Sequence, residues 1–462
     1  MNPTKLAGLR RSVARFCLQF SQRPDDALSS ALPAEVVEDV VRQAYPNGWR
    51  ERVYGPLTTL KLFVGQALCS DPACMDAVSR RLSERLSLAE GACSLNTGPY
   101  CKARQRLPIE IPQTLLEVLG RRLEAALPAA WCWRGRRVKL FDATTVSMPD
   151  TPSNQRAYPQ SREQKPGLGF PVARIGALLS LGSGAVLGYE VAACKGKGTG
   201  ESTLFRELYR HLAPSDIVLA DALHCTWWTI AALGAAGADI VMAQNGNRTT
   251  DFSRGQRLGP QDHLIDWPRL QRPAWMSVEA YDALPQRLWV REVQIGDQVL
   301  VTTLTDHRAV SPQELRTLYA MRWNIEVDFR TLKVMMGMDV LRCQSQAMVD
   351  KEIAVYLLAY NLVRAAMAQA ARLTDLLPRA LSFMGAKRAL ALLEQHLRHH
   401  PNRHRGHLPM IRAILRLVAR CRLPHRPHRV EPRAKKRRPK PLPLLTMPRA
   451  LARQAILDQR LR

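Results

Sequence analysis

Apolar residues recur at helical spacing in LRRSVARFCLQF, EVVEDVVRQAY, GPLTTLKLFVGQAL and MDAVSRRLSERL, so residues 1–130 read as a helical region. Breaks at Pro24, Pro46-Asn47-Gly48 and Ser70-Asp71-Pro72 separate its helices. From Arg136 the period shortens. VKLFDATTVSMPD is β-branched and aromatic and carries Asp142, and ARIGALLSLGSGAVLGYEVAA follows as two strands joined by a glycine turn. ESTLFRELYRHL, residues 201–212, reads as a helix. The strand DIVLADALH with Asp221, a helix through Trp227 and Trp228 and the strand ADIVMAQ come next. Three early strands and then helix–strand alternation predict an α/β fold, a mixed sheet flanked by helices, over residues 131–245.

Residues 246–308 interrupt that pattern. They are polar at first and then alternate as RLWVREVQIGDQVLVTTLTD, an antiparallel pair around Gly296-Asp297, which predicts a small β insertion. The helical period resumes in residues 309–375. Ser311-Pro312-Gln313-Glu314 is a capping box with proline at the first helical position, so a helix starts there. At about 100° per residue, Tyr319, Arg322, Glu326, Arg330 and Lys333 share one narrow face, with Leu318, Ile325, Phe329, Leu332 and Met336 in an apolar stripe beside it. An ordinary salt-bridged helix would share this wheel. DKEIAVYLLAYNLVRAAMAQAA supplies a second long helix, with Asn361 and Arg364 favouring a buried amphipathic helix over a membrane span. Residues 376–462 carry further helical patterns and a proline-rich basic segment that reads as a disordered arm.

Charge sharpens the picture. The 462-residue chain has a formal net charge of +27, and its last 62 residues hold 18 Lys or Arg against 2 Asp or Glu. Such a field favours a polyanion as partner, of which nucleic acid is the commonest. Arg433, Lys435, Lys436, Arg437, Arg438 and Lys440 are therefore candidates for nonspecific DNA phosphate contact. The N-terminus lacks an apolar stretch followed by a small-residue cleavage site, which predicts a cytoplasmic, nucleoid-associated protein. Ten cysteines without paired spacing predict reduced, mostly buried thiols. CKGKGTGES fails the spacing of a phosphate-binding P-loop and reads as a connector.

The chemistry rests on three carboxylates. Asp142 and Asp221 each sit within or directly after an apolar strand, where a bare charge is costly unless a metal or partner offsets it. With the helix-borne Glu326 they are what a two-metal phosphoryl-transfer site needs: a pair of Mg²⁺ ions, replaceable by Mn²⁺, held by carboxylates. Tyr319-x2-Arg322-x3-Glu326-x6-Lys333 resembles the YREK signature of bacterial insertion-sequence DDE transposases of the insertion sequence four family. FDATTVSMPDTPSNQRAYPQ and VLADALHCT are similar to the contexts of that family's two aspartates, and the β insertion is a family trait.

The resemblance implies an RNase H-like catalytic core with a mixed five-stranded sheet, a helical N-terminal DNA-binding region and a cut-and-paste reaction through a DNA hairpin. Asp142, Asp221 and Glu326 would be catalytic and metal ligands, while Tyr319, Arg322 and Lys333, with Arg330 as a further candidate, would hold DNA phosphates. A base flipped during hairpin chemistry would stack on Trp289, Trp275 or Trp267, with core packing the better expectation for Trp289. The partners implied are double-stranded DNA, as terminal inverted repeats and target, and a second copy of the chain when two ends are paired. The competing readings are an RNase H-like nuclease that only hydrolyses, and a non-catalytic DNA-binding transposase remnant. The intact signature argues against the remnant.

Overall fold

The computed structural model describes residues 32–49, 52–69, 71–399, 407–424 and 444–460. The basic arm with Arg433, Lys435, Lys436, Arg437, Arg438 and Lys440 lies outside them, as does the first predicted helix, LRRSVARFCLQF.

Five helices open the described chain: α1 (Ala34–Ala44), α2 (Pro56–Leu68), α3 (Cys74–Ser87), α4 (Gly98–Arg106) and α5 (Glu110–Ala125). Proline in the first turn starts α2 and α4, where its missing N–H is no loss. α5 lies directly on the sheet. Gly120 makes this approach feasible, since a Cβ there would stand 2.5 Å from the Val186 carbonyl oxygen.

The sheet begins with β1 (Val138–Ser147). After the one-and-a-half-turn helix α6 (Pro152–Ala157) come β2 (Val172–Ser180) and β3 (Val186–Ala193), then α7 (Glu201–Glu207), β4 (Ile217–Ala220), α8 (Trp227–Ala235) and β5 (Asp239–Ala243). Their order is β3-β2-β1-β4-β5, with β2 antiparallel to β1 and β3 and with β1, β4 and β5 parallel. This is the RNase H-like arrangement. The predicted helix over 201–212 is α-helical only through Glu207 and tightens to a 3₁₀ turn over Leu208–His211.

The insertion contributes β6 (Gln256–Gly259), β7 (Asp262–Pro268), the short helix α9 (Val278–Asp282), β8 (Arg287–Ile295) and β9 (Gln298–Thr302). These strands do not form a separate unit. β9 pairs with β5 through Val241↔Thr302, Met242↔Val301 and Ala243↔Leu300, so the five core strands continue into one nine-stranded sheet. A paired edge leaves no open ladder on β5.

Strand alternation separates two layers. Leu140, Ile175 and Leu219 face the cluster built by α5 and the C-terminal helices, while Phe141, Leu178 and Val218 face α7 and α8, where Phe141 stacks on Phe205 at 3.9 Å between ring centroids. The capping box at Ser311 forms as expected and starts α10 (Pro312–Ala320). A 3₁₀ turn over Met321–Trp323 leads into α11 (Asn324–Arg330), and a π turn over Thr331–Met335 ends the run. The apolar stripe Leu318, Ile325, Phe329, Leu332 and Met336 is buried along all of it.

The 27-residue α12 (Gln346–Arg372) is apolar enough to span a membrane by composition, but it is buried inside the protein as the core helix. Its polar residues do structural work. Asn361 accepts from the Val186 N–H and donates to the Val186 carbonyl, both at 2.8 Å, and so docks the helix on β3 as a strand neighbour would. Arg364 packs against Gly184, whose φ of +74° and whose 2.9 Å clearance to the guanidinium would both reject a side chain. α13 (Phe383–His399) and α14 (His407–Arg420) cover α12, and α15 (Arg449–Arg460) follows. The thiols are less buried than expected: of nine described free cysteines, only Cys225 and Cys343 are fully buried.

Candidate active site

The three acids reach one end of the core sheet from three elements. Asp142 lies mid-way along β1, where its Oδ1 accepts the Ala143 N–H at 2.7 Å. Burial pushes its carboxyl up to about 6 and the Ala143 N–H pulls it down; the negative charge of Asp221 adds to the rise, while Arg322 opposes it. Asp221 directly follows β4, which is the parallel neighbour of β1. It caps a 3₁₀ turn, accepting the Leu223 N–H at 3.0 Å, so the predicted strand DIVLADALH stops at Ala220 and aims this carboxylate off the strand end.

Glu326 is on α11. Its Oε1 is 3.2 Å from Nη2 of Arg322, whose Nη1 is 3.9 Å from Oδ2 of Asp142. One guanidinium thus spans the helix-borne and a strand-borne carboxylate. Tyr319 stands beside Arg322, with its ring 5.9 Å from the guanidinium carbon, and its hydroxyl meets the backbone of Ala243 at the end of β5. Burial raises its phenol, so it is a neutral donor.

Lys333 is displaced from the regular wheel by the π turn and pairs with Asp339 at 3.1 Å. Such turns recur at functional positions. Arg330 is exposed and makes no ion pair among the described residues. The structure therefore brings Tyr319, Arg322, Asp142, Asp221 and Glu326 together and leaves Arg330 outside.

Among the described residues, no three acidic, histidine or cysteine side chains close around one point as they stand, and Arg322 lies between Asp142 and Glu326. The donor set nevertheless fits a hard divalent cation: it is all carboxylate oxygen, and burial, with the charge of Asp221 adding to it, disfavours the bare Asp142 carboxylate in a way a bound cation would oppose.

Two neighbours of the site went unread in the sequence. His224 is fully buried with both ring nitrogens unpartnered, Nε2 lying 3.7 Å from Oδ1 of Asp221 and the ring lying edge-on to Phe141 and Phe205. Burial lowers its pKa, so it is neutral. Glu201, at the start of α7, adds to the negative field on Asp142 and pairs with Arg174 at 3.5 Å. The only signal for His224 was its place three residues after Asp221.

The tryptophans divide differently from the expectation. Trp267 is 1% exposed, donates from Nε1 to Glu292 at 2.9 Å, and is covered by the Arg248 guanidinium 3.4 Å from its ring centroid. It is a core residue and is closed to a base. Trp289, for which core packing was expected, is 59% exposed on β8, next to the buried Val290 and Arg291. Trp275 is half-exposed and holds the Arg206 guanidinium 4.1 Å from its centroid. Trp323, directly after Arg322, is also half-exposed.

Residues 133–362 match the family described as Transposase DDE domain, a span that holds all three acids and the whole signature. The chain is 25% identical over 348 residues to the transposase InsG for insertion sequence element IS4 of Escherichia coli, covering 73% of this chain and 76% of that protein. Among solved structures, the piggyBac transposase synaptic complex with hairpin DNA aligns with a TM-score of 0.45 and 10% identity, covering 87% of this chain and 85% of that one.

Proposed function

The chain belongs to the DDE transposases of the insertion-sequence type, and from that premise we propose that Asp142, Asp221 and Glu326 are the carboxylates that carry its chemistry. It is a DNA transposase, an enzyme that cuts at transposon ends and joins them to target DNA with divalent metal. The observation that supports the residue assignment is convergence: Asp142 lies within β1, Asp221 directly follows its parallel neighbour β4 and its charge acts on Asp142, and Arg322 joins Asp142 to Glu326.

The metal in this reading is a pair of Mg²⁺ ions, for which Mn²⁺ can substitute. Bound there, divalent cations activate the attacking oxygen and stabilise the leaving one. The chain's own residues do the rest. Arg322 and Tyr319 hold the phosphate at the cut, and Lys333 grips the adjacent backbone once released from Asp339. The first reaction adds water to a phosphodiester and frees a 3′-OH on the transposon end. That hydroxyl then attacks the opposite strand, expelling the flanking DNA and leaving a hairpin. A second water reopens the hairpin before the 3′-OH attacks target DNA. Trp289, exposed on the insertion, stacks the base displaced by the hairpin. Two copies act together on paired ends, in the bacterial cytoplasm at the nucleoid.

The test incubates the protein with end-labelled duplexes carrying the element's terminal inverted repeats and Mg²⁺, comparing wild type with Asp221→Ala. Nicks, hairpins and strand-transfer products are expected from wild type alone. Binding of those ends without any of these products would overturn the reading, and nicks without joined products would favour a hydrolytic nuclease.

A further inference from the structure

Two thiols that are far apart in the chain meet where α3 and α4 join. Cys74 is the first residue of α3 and Cys101 lies in the first turn of α4; 27 positions separate them, yet their sulfurs are 3.8 Å apart. Both are partly exposed. Arg104, on the next turn of α4, sets its guanidinium between sulfurs, with Nη1 3.7 Å from Cys74 Sγ and Nη2 3.4 Å from Cys343 Sγ. Its place is fixed, because the guanidinium carbon lies 4.4 Å from the Phe63 ring centroid and Nη1 also donates to Gln66 Oε1 at 3.2 Å. Gln66 accepts the Tyr100 hydroxyl at 2.5 Å and turns its Nε2 toward Cys74 Sγ at 3.8 Å. Among the described residues no three cysteine, histidine or acidic side chains gather around one point, so this cluster as it stands is not a metal site.

The three thiols are not equivalent. Cys74 Sγ is the acceptor of the group, met by the Cys101 thiol, the Arg104 guanidinium and the Gln66 amide. A sulfur surrounded by donors, one of them cationic, is placed to act as the nucleophile. It also lines a hollow of about 180 Å³, roomy for a molecule not much larger than water. Cys101 differs: burial, with the neighbouring Cys74 adding to it, pushes its thiol up, so it keeps its proton. Cys343 is 6% exposed and burial pushes its thiol up as well, which leaves it closed and unreactive.

We propose that Cys74 and Cys101 form a reversible disulfide when the protein meets a peroxide. The Cys74 sulfur attacks one peroxide oxygen, the O–O bond breaks, and the hydroxide released takes the thiol proton and leaves as water, so that Cys74 becomes a sulfenic acid. The Cys101 sulfur then attacks Cys74 Sγ, the S–O bond breaks, and this second hydroxide leaves as water with the Cys101 proton. Two thiols are oxidised by two electrons and one peroxide is reduced to two waters. The bond cross-links α3 to α4 and draws Cys74 off Arg104, whose other sulfur contact, Cys343, has its N–H held by Glu352 of α12 at 2.9 Å. An oxidant thereby acts on the joint between the N-terminal helices and the segment that leads into α12. None of this depends on the transposase reading.

The experiment treats the full chain, reduced and then freed of reductant, with hydrogen peroxide under native conditions, alkylates the remaining thiols in denaturant and maps the peptides by mass spectrometry. Cys74 and Cys101 should leave the alkylated pool together and ahead of the other thiols, appear in one cross-linked peptide, and return on treatment with dithiothreitol. Cys101→Ser should stop at the sulfenic acid on Cys74, which dimedone captures, and Cys74→Ser should leave Cys101 reduced over the same time. The wild-type map stands even where a variant folds poorly. Cys74 joined to any other cysteine, Cys101 oxidised at the wild-type rate in Cys74→Ser, or both residues still alkylated after the other thiols have reacted would each overturn the proposal.

Discussion

Arg322 and Glu326 stand one helical turn apart with Nη2 and Oε1 at 3.2 Å, and the same guanidinium reaches to within 3.9 Å of Asp142. One guanidinium thus offsets part of the negative charge of the three acids. In the proposed reading a DNA phosphate, which a guanidinium binds as it binds a carboxylate, would draw Arg322 off this pair. On that reading, metal loading and DNA engagement would be linked through one side chain.

Removing that side chain should separate the two. Arg322→Gln is expected to raise the affinity of the DNA-free protein for Mn²⁺ by roughly tenfold, about 1.4 kcal/mol, while lowering cleavage of terminal-repeat DNA. Calorimetric titration with Mn²⁺ reads the first effect directly. Equal or weaker Mn²⁺ binding in the variant would show that the guanidinium does not compete with the ion.

The two strand tryptophans should respond in opposite ways. Trp267→Ala empties a buried site and strands Glu292, so a loss of about 3–5 kcal/mol in urea unfolding is expected. Trp289→Ala removes an exposed ring and should leave unfolding within about 0.5 kcal/mol of wild type while reducing hairpin product relative to first-strand nicks. Gel analysis of the product ratio decides; an unaltered ratio would remove Trp289 from the hairpin step.

Much of this was legible because it is local. The capping box at Ser311–Glu314 depends on four residues and formed as read. The apolar stripe from Leu318 to Met336 is a one-helix pattern, and it is buried throughout. What depends on distant pairing was not legible. Whether the insertion stands alone or extends the sheet is decided by β9 meeting β5, a register between segments some 60 residues apart. Trp267 and Trp289 have similar strand contexts, and the layer packed behind each strand decides which one is buried. The 3₁₀ turn before α11 and the π turn after it likewise escape a uniform wheel, and the π turn is what shifts Lys333.

Acid should weaken the fold through His211. Its ring lies beneath Gly188, where a Cβ would come within 2.4 Å of it, and burial, aided by Arg210 and Arg121, lowers its pKa to about 4 from the usual 6.5; Glu117, at 4.0 Å, is the facing acid. The unfolded chain therefore binds a proton that the folded chain refuses between those values. Stability contributed by the neutral ring is full above pH 6.5 and is lost as pH falls toward 4, up to about 3 kcal/mol. Urea unfolding at pH 7 and pH 5 should show this slope in wild type and a flatter one in His211→Phe. Equal slopes would assign the acid sensitivity elsewhere.

Asp328, two residues beyond Glu326, anchors α11 from its buried side. It accepts from Arg364 of α12 and, at 2.9 and 3.2 Å, from Arg379, which also donates to the Leu181 and Ser180 carbonyls at 2.6 and 3.1 Å. One carboxylate therefore ties α11 to the core helix and to the β2–β3 turn. Breaking such a pair from one side leaves cations buried without compensation, which costs more than the intact network contributes. Asp328→Ala should lose about 3–5 kcal/mol in chemical unfolding, because Arg364 is buried and has no route to solvent. Asp328→Asn keeps acceptors for the two arginines and should lose less. Since the anchor fixes the turn that carries Glu326, the Asn variant should also bind Mn²⁺ more weakly than wild type at equal folded fraction. Unchanged Mn²⁺ affinity would confine Asp328 to a purely structural role.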